Sequence, residues 1–125
     1  MKEIIYTTDA PNPIGPYSQA IRANGFVFVS GQIPIDPSTG NLAPPDISIQ
    51  TRRVLENLAA ILAAAGSGIE KVVKTSIFLS NLEDFPTVNQ IYGEYFTETR
   101  PARSTVQAAG LPRSVLVEID VIALA

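Results

Sequence analysis

Arg103, in the stretch Arg100-Pro101-Ala102-Arg103-Ser104, is the residue whose type and setting point most directly to binding. It follows a proline and opens a β-leaning segment, where a guanidinium suits bidentate capture of a planar carboxylate better than lysine would. On strand alternation it shares a face with Thr105 and Gln107. A structural ion pair with Glu118 or Asp120 across a sheet would use the same cation, and chemistry alone leaves both readings open. Glu118 is the more central of the two carboxylates in the last apolar strand. In a partly desolvated pocket its pKa would rise and let it carry a proton, whereas as a buried partner of arginine it would be purely structural.

Three further places could present polar groups to a ligand. Gly15-Pro16-Tyr17-Ser18 and Val29-Ser30-Gly31-Gln32 are junctions of loop and strand, where hydroxyls and backbone N–H groups are accessible, although glycine there is commonly just a turn. Asn89 follows the core position Val88 on a predicted helix, where an asparagine is ordinarily a solvated surface residue. The chain contains no histidine and no cysteine. That excludes Ser-His-Asp and Cys-His sites, disulfides, and most zinc and iron–sulfur sites. Catalysis would have to use carboxylates, tyrosine, lysine, arginine, backbone groups and water.

The elements that must position these groups are legible in order. Ile4 to Thr7 is a short β segment, and Pro11, Pro13, Gly15 and Pro16 then impose irregular backbone. Tyr17 to Arg22 reads as a strand, Asn24-Gly25 as a two-residue hairpin turn, and Phe26 to Ser30 as the returning strand. Pro34 to Pro45 is turn-rich and predicts a surface loop. Val54, Leu55, Leu58, Ile61, Leu62 and Ala65 follow the period of one helix face, with Asp46 or Ser48 as cap and Gly66 as stop. The alanines at 59, 60 and 63 to 65 suggest close approach to a sheet. Lys71 to Leu79 is a strand. A second helix starts near Asp84, with Pro86 in its first turn and Val88, Ile91, Tyr92, Tyr95 and Phe96 as its apolar face. Arg103 to Gln107 and Val115 to Leu124 complete the order β-β-β-α-β-α-β-β, which predicts an α+β two-layer sandwich with both helices on one face of a sheet.

The last strand tells what the other face does. Val115, Val117, Ile119, Val121 and Ala123 would lie under the helices, while Leu116, Glu118, Asp120, Ile122 and Leu124 form a face that is apolar at both ends. In the strand from Phe26, Phe28 and Ser30 share a face with Phe26, and Val27 and Val29 form the other, so both sides are apolar there. Self-association of the uncovered face explains this pattern, with loops packed over it as the alternative.

The 125 residues suit one domain, 1–125, with 46% apolar and 17% charged residues. A net charge of −3 and a pI near 4.8 make nucleic acid a poor partner, since phosphate neutralisation needs clustered cations. No stretch reaches membrane-spanning length and the N-terminus lacks an apolar signal core, so a cytoplasmic location without a membrane partner is expected.

Taken together, several segments resemble the RidA (YjgF) family of enamine/imine deaminases. They are Ala10-Pro11, Ile14-Gly15-Pro16-Tyr17-Ser18-Gln19-Ala20, Val29-Ser30-Gly31-Gln32-Ile33-Pro34, Asn57-Leu58, Val72-Val73-Lys74-Thr75, Leu82-Glu83-Asp84-Phe85, Val88-Asn89, Arg100-Pro101-Ala102-Arg103-Ser104, Leu111-Pro112 and Val117-Glu118-Ile119. The resemblance implies a chorismate-mutase-like fold and a homotrimer with a central β-barrel and sites between subunits. The implied reaction is hydrolysis of 2-iminobutanoate, 2-iminopropanoate and related imines, the tautomers of enamines such as 2-aminoacrylate released by pyridoxal-phosphate enzymes, to 2-keto acids and ammonia. Neither cofactor nor metal is implied. By resemblance Arg103 grips the substrate carboxylate and Glu118 positions or activates water. Tyr17, Ser30, Gly31 and Asn89 line the pocket, and the backbone beside Thr105 meets the nitrogen end. Many bacterial members carry cysteine where this chain has Thr105, which leaves thiol-based regulation without its residue. The alternatives are a trimer that binds small carboxylates, or acts as a chaperone, without turnover, and a family-linked RNA activity that fits poorly with the acidic pI.

Overall fold

The computed structural model describes residues 1–125. Eight principal elements follow one another: β1 (Glu3–Ile5), β2 (Ala20–Ala23), β3 (Phe26–Gln32), α1 (Ile47–Ala64), β4 (Val72–Leu79), α2 (Phe85–Tyr95), β5 (Ala102–Gln107) and β6 (Val117–Leu124). This is the expected order. The strands form one sheet in the order β1-β2-β3-β6-β4-β5, antiparallel throughout except for the parallel pair β4 and β5. A parallel neighbour needs a crossover, and α2 is that crossover.

Helix α1 starts where its cap demands: Asp46 Oδ1 accepts from Ile49 N at 3.0 Å, and Gly66 takes φ +75° just past the end. Its buried stripe of Val54, Leu55, Leu58, Ile61 and Leu62 packs with Val88, Ile91 and Tyr92 of α2 onto Ile77, Leu79, Val117, Ile119, Val121 and Ala123. The alanines contribute less to this contact than expected. Ala63 and Ala64 face solvent, because they fall outside the stripe, and only Ala65 of that trio is buried.

Three strand boundaries differ from the expectation for physical reasons. Tyr17 to Gln19 lie outside β2, because the buried Gln19 side chain ties down the proline-rich loop. It accepts from Thr7 N at 2.8 Å and donates to the carbonyls of Thr7, Ala10 and Pro11 at 3.0, 3.3 and 2.9 Å. Val115 and Leu116 precede β6, where Leu116 N donates to Gln50 Oε1 at 2.9 Å instead of to a strand. Strand β3 runs two residues beyond Ser30 and contains a bulge. Val29 pairs with Val121 but Gln32 pairs with Ile119, so Ser30 and Gly31 together oppose a single residue, Asp120.

The sheet face away from the helices stays open. Phe28 and Leu124 remain 44% and 46% exposed there.

Candidate functional site

Arg103 leaves the sheet on the helix side. Its register partner on β4 is the fully buried Thr75, which in turn pairs with Val121, so all three side chains point toward the helices. Above them α2 presents Phe85, Asn89 and Tyr92, spaced by four and three residues and therefore on one stripe. The guanidinium carbon of Arg103 lies 5.2 Å from the Phe85 ring centroid and 4.9 Å from that of Tyr92. Its Nη1 donates to Asn89 Oδ1 at 2.8 Å. Two aromatic faces and one amide thus fix the plane of the cation, each aromatic contact stabilising it by about 0.5–1 kcal/mol where solvent reaches it. Tyr92 is itself anchored, its hydroxyl sharing a 2.8 Å hydrogen bond with Thr75 Oγ1. Burial raises the Tyr92 pKa, while the Thr75 bond and the Arg103 charge act against that rise. A guanidinium carries five donors, and the Asn89 bond engages one side only, so a carboxylate can still be met in a bidentate manner. Arg100, Arg103, Asn89 and Tyr92 line a concavity of about 550 Å³ that has no acidic residue in its wall.

This arrangement decides one of the open alternatives. Arg103 does not pair with Glu118 or Asp120, because alternation places both carboxylates on the opposite face of the sheet, with Ile122 and Leu124. The chain's two ion pairs are Arg22 with Glu3 and Arg52 with Glu94. Thr105 does share the face of Arg103, opposite Ile77, and its hydroxyl is enclosed without a hydrogen-bond partner. Since β5 is an edge strand, one side of the backbone at Thr105 is unpaired within the chain.

Glu118 organises a second concavity, also of about 550 Å³, with Tyr17, Ser30, Gly31, Ile33 and Arg113 in its wall. The bulge in β3 turns Ser30 and Gly31 toward it, as bulges do near functional sites. Ser30 Oγ donates to the Ser18 carbonyl at 2.6 Å, and Ser30 N to the Gln19 carbonyl at 2.9 Å, which ties the bulge to the loop carrying Tyr17. Tyr17 in turn accepts at its hydroxyl from Ile14 N at 3.2 Å. Burial raises the pKa of Glu118 above the ordinary carboxylate range, and the neighbouring Asp120 raises it further. Asp120 is also raised by burial, with a Ser76 hydrogen bond and the charge of Lys74 opposing.

The residues picked out in the sequence therefore fall into two groups. Arg103, Asn89 and Thr105 belong to the helix side and the sheet edge, whereas Tyr17, Ser30, Gly31 and Glu118 lie together on the open side. One chain does not bring the two groups into contact. Sequence reasoning missed Phe85 and Tyr92 as holders of Arg103, reading Tyr92 as core alone, although their shared stripe with Asn89 was visible in the spacing. Arg113 carried no signal of its own. No three His, Cys, Asp or Glu side chains converge to hold a metal ion, and no helix is long and apolar enough to cross a membrane.

Comparison with known proteins gives these groups a context. A family model described as Endoribonuclease L-PSP matches residues 7–125. A RutC family protein of Pyrococcus horikoshii is 54% identical, with 98% of each chain covered. The chloroplastic Reactive Intermediate Deaminase A of Arabidopsis thaliana is 48% identical over 98% of this chain and 65% of its own length. Among solved structures, the conserved Rid family protein of Yersinia pestis superposes with a TM-score of 0.98 at 52% identity, both chains being covered completely. Escherichia coli TdcF, solved with bound serine, superposes with a TM-score of 0.94 at 44% identity over 98% of each chain. By its fold, by the near-complete span of the family model and by relatives of this closeness, the chain belongs to the RidA (YjgF) family, whose family model carries the L-PSP description.

Proposed function

We propose that this protein is an enamine/imine deaminase that hydrolyses 2-imino acids such as 2-iminobutanoate and 2-iminopropanoate, and works as a homotrimer with its sites between copies. The observation that carries this reading is the separation of Arg103 from Glu118 on opposite sides of one sheet. Each chain holds a carboxylate-binding half and a proton-carrying half that it cannot join by itself. The open apolar face supplies a reason for copies to associate, and packing them there brings the Glu118 half of one copy toward the exposed β5 edge of the next. Relatives support the chemistry: one is named a reactive intermediate deaminase, and TdcF holds serine, whose α-carboxylate is the group Arg103 is shaped to meet.

The reaction needs little machinery. Arg103 orients the imino acid by its carboxylate, with the backbone beside Thr105 at the nitrogen. Water adds to the imine carbon as Glu118 accepts a proton from it, and the proton passes to nitrogen. The tetrahedral intermediate then expels ammonia and leaves the 2-keto acid. Orientation plus one proton carrier of raised pKa suits a bond that water already attacks, and such acid–base help contributes about 10²–10⁴-fold. No thiol, imidazole or metal is required.

Complementation tests the split site. Arg103→Ala and Glu118→Gln are each expected to abolish accelerated keto-acid release from freshly generated imine. Unfolded together and refolded as mixed assemblies, they should regain about a quarter of wild-type activity, because one site in four then takes both intact halves from different copies. Full activity in either single variant, or no recovery on mixing, would sink the reading.

One observation favours a second reading. The Arg103 clamp is complete within a single chain, so it can bind small carboxylates without turnover. Saturable 2-oxobutanoate binding with no rate acceleration would select that alternative. RNA cleavage, which the family model's description names, sits poorly with a net charge of −3 and with carboxylates on the open face. Ribonuclease activity that survives rigorous repurification would reverse that judgement.

A further inference from the structure

The turn that joins β5 to β6 holds a cation the proposed chemistry does not use. In Leu111-Pro112-Arg113-Ser114, Arg113 takes φ 55° and ψ 25°, and Ser114 takes φ 56°. Two consecutive residues that are not glycine thus occupy the left-handed region, which L side chains rarely adopt and glycine enters freely. Surroundings hold them there: Ser114 N donates to the Leu111 carbonyl at 3.1 Å, Val115 N donates to the Pro112 carbonyl at 3.3 Å, and Val115 is buried. Strain kept at one spot calls for a reason in function.

The side chain supplies one. Arg113 is exposed and takes no part in either ion pair of the chain. It borders the Glu118 concavity, and it also borders the adjoining groove lined by Thr8, Asn12 and Pro37. Ile14, Ile33 and Pro112 give the concavity that Glu118 and Arg113 share an apolar part to its wall. Nor is the guanidinium spent on Glu118, since the ion pairs of the chain join Arg22 to Glu3 and Arg52 to Glu94.

We propose that Arg113 is a specificity-determining residue that selects 2-imino acids bearing a second carboxylate at the end of a short aliphatic side chain. This rests on the deaminase reading. With the imine carbon at Glu118, the side-chain methylenes run over Ile14 and Ile33 and the distal carboxylate meets Arg113, while Arg103 of a neighbouring copy holds the first. The balance is that of any imine: 2-imino dicarboxylate plus water gives 2-keto dicarboxylate plus ammonia. The reaction that supplies such a substrate is the two-electron oxidation of an amino dicarboxylic acid at its α-carbon.

Competition separates this inference from the reading beneath it. Imines are generated in place by amino-acid oxidases from glutamate and from 2-aminobutanoate, and their hydrolysis is followed against capture by semicarbazide. Wild type is expected to show a higher kcat/KM for 2-iminoglutarate than for 2-iminobutanoate. Arg113→Gly relieves the left-handed backbone while removing the cation, so it should fold well, and it should lower that ratio at least tenfold; Arg113→Lys should retain part of it. Calorimetry of 2-oxoglutarate against 2-oxobutanoate gives the same comparison without turnover. An Arg113→Gly ratio equal to wild type, in rate and in binding, overturns the role of Arg113 and leaves the deaminase standing. Acceleration of neither imine overturns the deaminase, and equal binding of the two keto acids would then remove Arg113 as well.

Discussion

Gly31 and Glu118 compete for one small volume: a Cβ placed on Gly31 would stand 3.0 Å from the Glu118 carboxyl carbon and closer still to Oε2. The bulge in β3 and the absence of a side chain at Gly31 together let the carboxylate lie against the backbone there. Gly31→Ala should therefore push Glu118 aside without breaking the fold, since Gly31 has no positive φ to protect. A fall in kcat of about 10–100-fold is expected, with a melting temperature within about 3 °C of wild type. Unchanged kcat would show that Glu118 need not lie where it does.

The clamp on Arg103 predicts a graded series. Arg103→Lys keeps the charge but loses the planar fork, and about a tenfold weaker Kd for 2-oxobutanoate is expected. Tyr92→Leu removes one aromatic face and should raise KM several-fold with little change in kcat. Tyr92→Phe keeps that face and loses only the Thr75 bond, so it should rescue KM while lowering stability by about 1 kcal/mol. Equal KM in the leucine and phenylalanine variants would remove the ring from the account.

Glu118 and Asp120 both have pKa values raised by burial. Between the ordinary carboxylate value and the raised one, the folded chain binds more protons than the unfolded chain. Stability therefore falls as pH rises through that window, and at neutral pH the two charges weigh against the fold. Glu118→Gln should raise the melting temperature at pH 7 by about 1–3 °C and flatten its fall as pH rises through that window. The acid limb of kcat/KM in wild type should have its midpoint above the ordinary carboxylate value, as Glu118 loses its ability to accept a proton there. A midpoint at or below the ordinary value would contradict the raised pKa.

Phe28 stands in the open face, in register with Ile21 on one side and Ile122 on the other. A lysine here would bury charge in any assembly formed through that face. Phe28→Lys is expected to shift the protein to monomer by light scattering and to abolish turnover, with secondary structure retained. An unchanged mass would place the contact elsewhere.

Much of this was legible in the residues. The hairpin at Asn24-Gly25 holds because Asn24 takes φ 52° and Gly25 φ 81°, as the two central positions of such a turn require. The inward set Val117, Ile119, Val121 and Ala123 followed from period two, and Asp46 from cap chemistry. What local pattern could not supply was pairing. Whether Arg103 and Glu118 share a face depends on which strand neighbours β5, and that is set by a crossover and not by nearby residues. The bulge was equally hidden, because Ser30-Gly31 reads as an ordinary strand end until Gln32 proves to be buried opposite Ile119.

The crossover has one more consequence. Thr75, Phe85, Asn89, Tyr92 and Arg103 all lie within the continuous β4-α2-β5 segment, whereas Tyr17, Ser30 and Glu118 come from near opposite ends of the chain. The cation's seat is thus a contiguous cassette, portable in principle to another β-α-β scaffold. Its counterpart exists only once the two ends of the chain have met, so cutting back the amino-terminal loop would erase one half-site and spare the other.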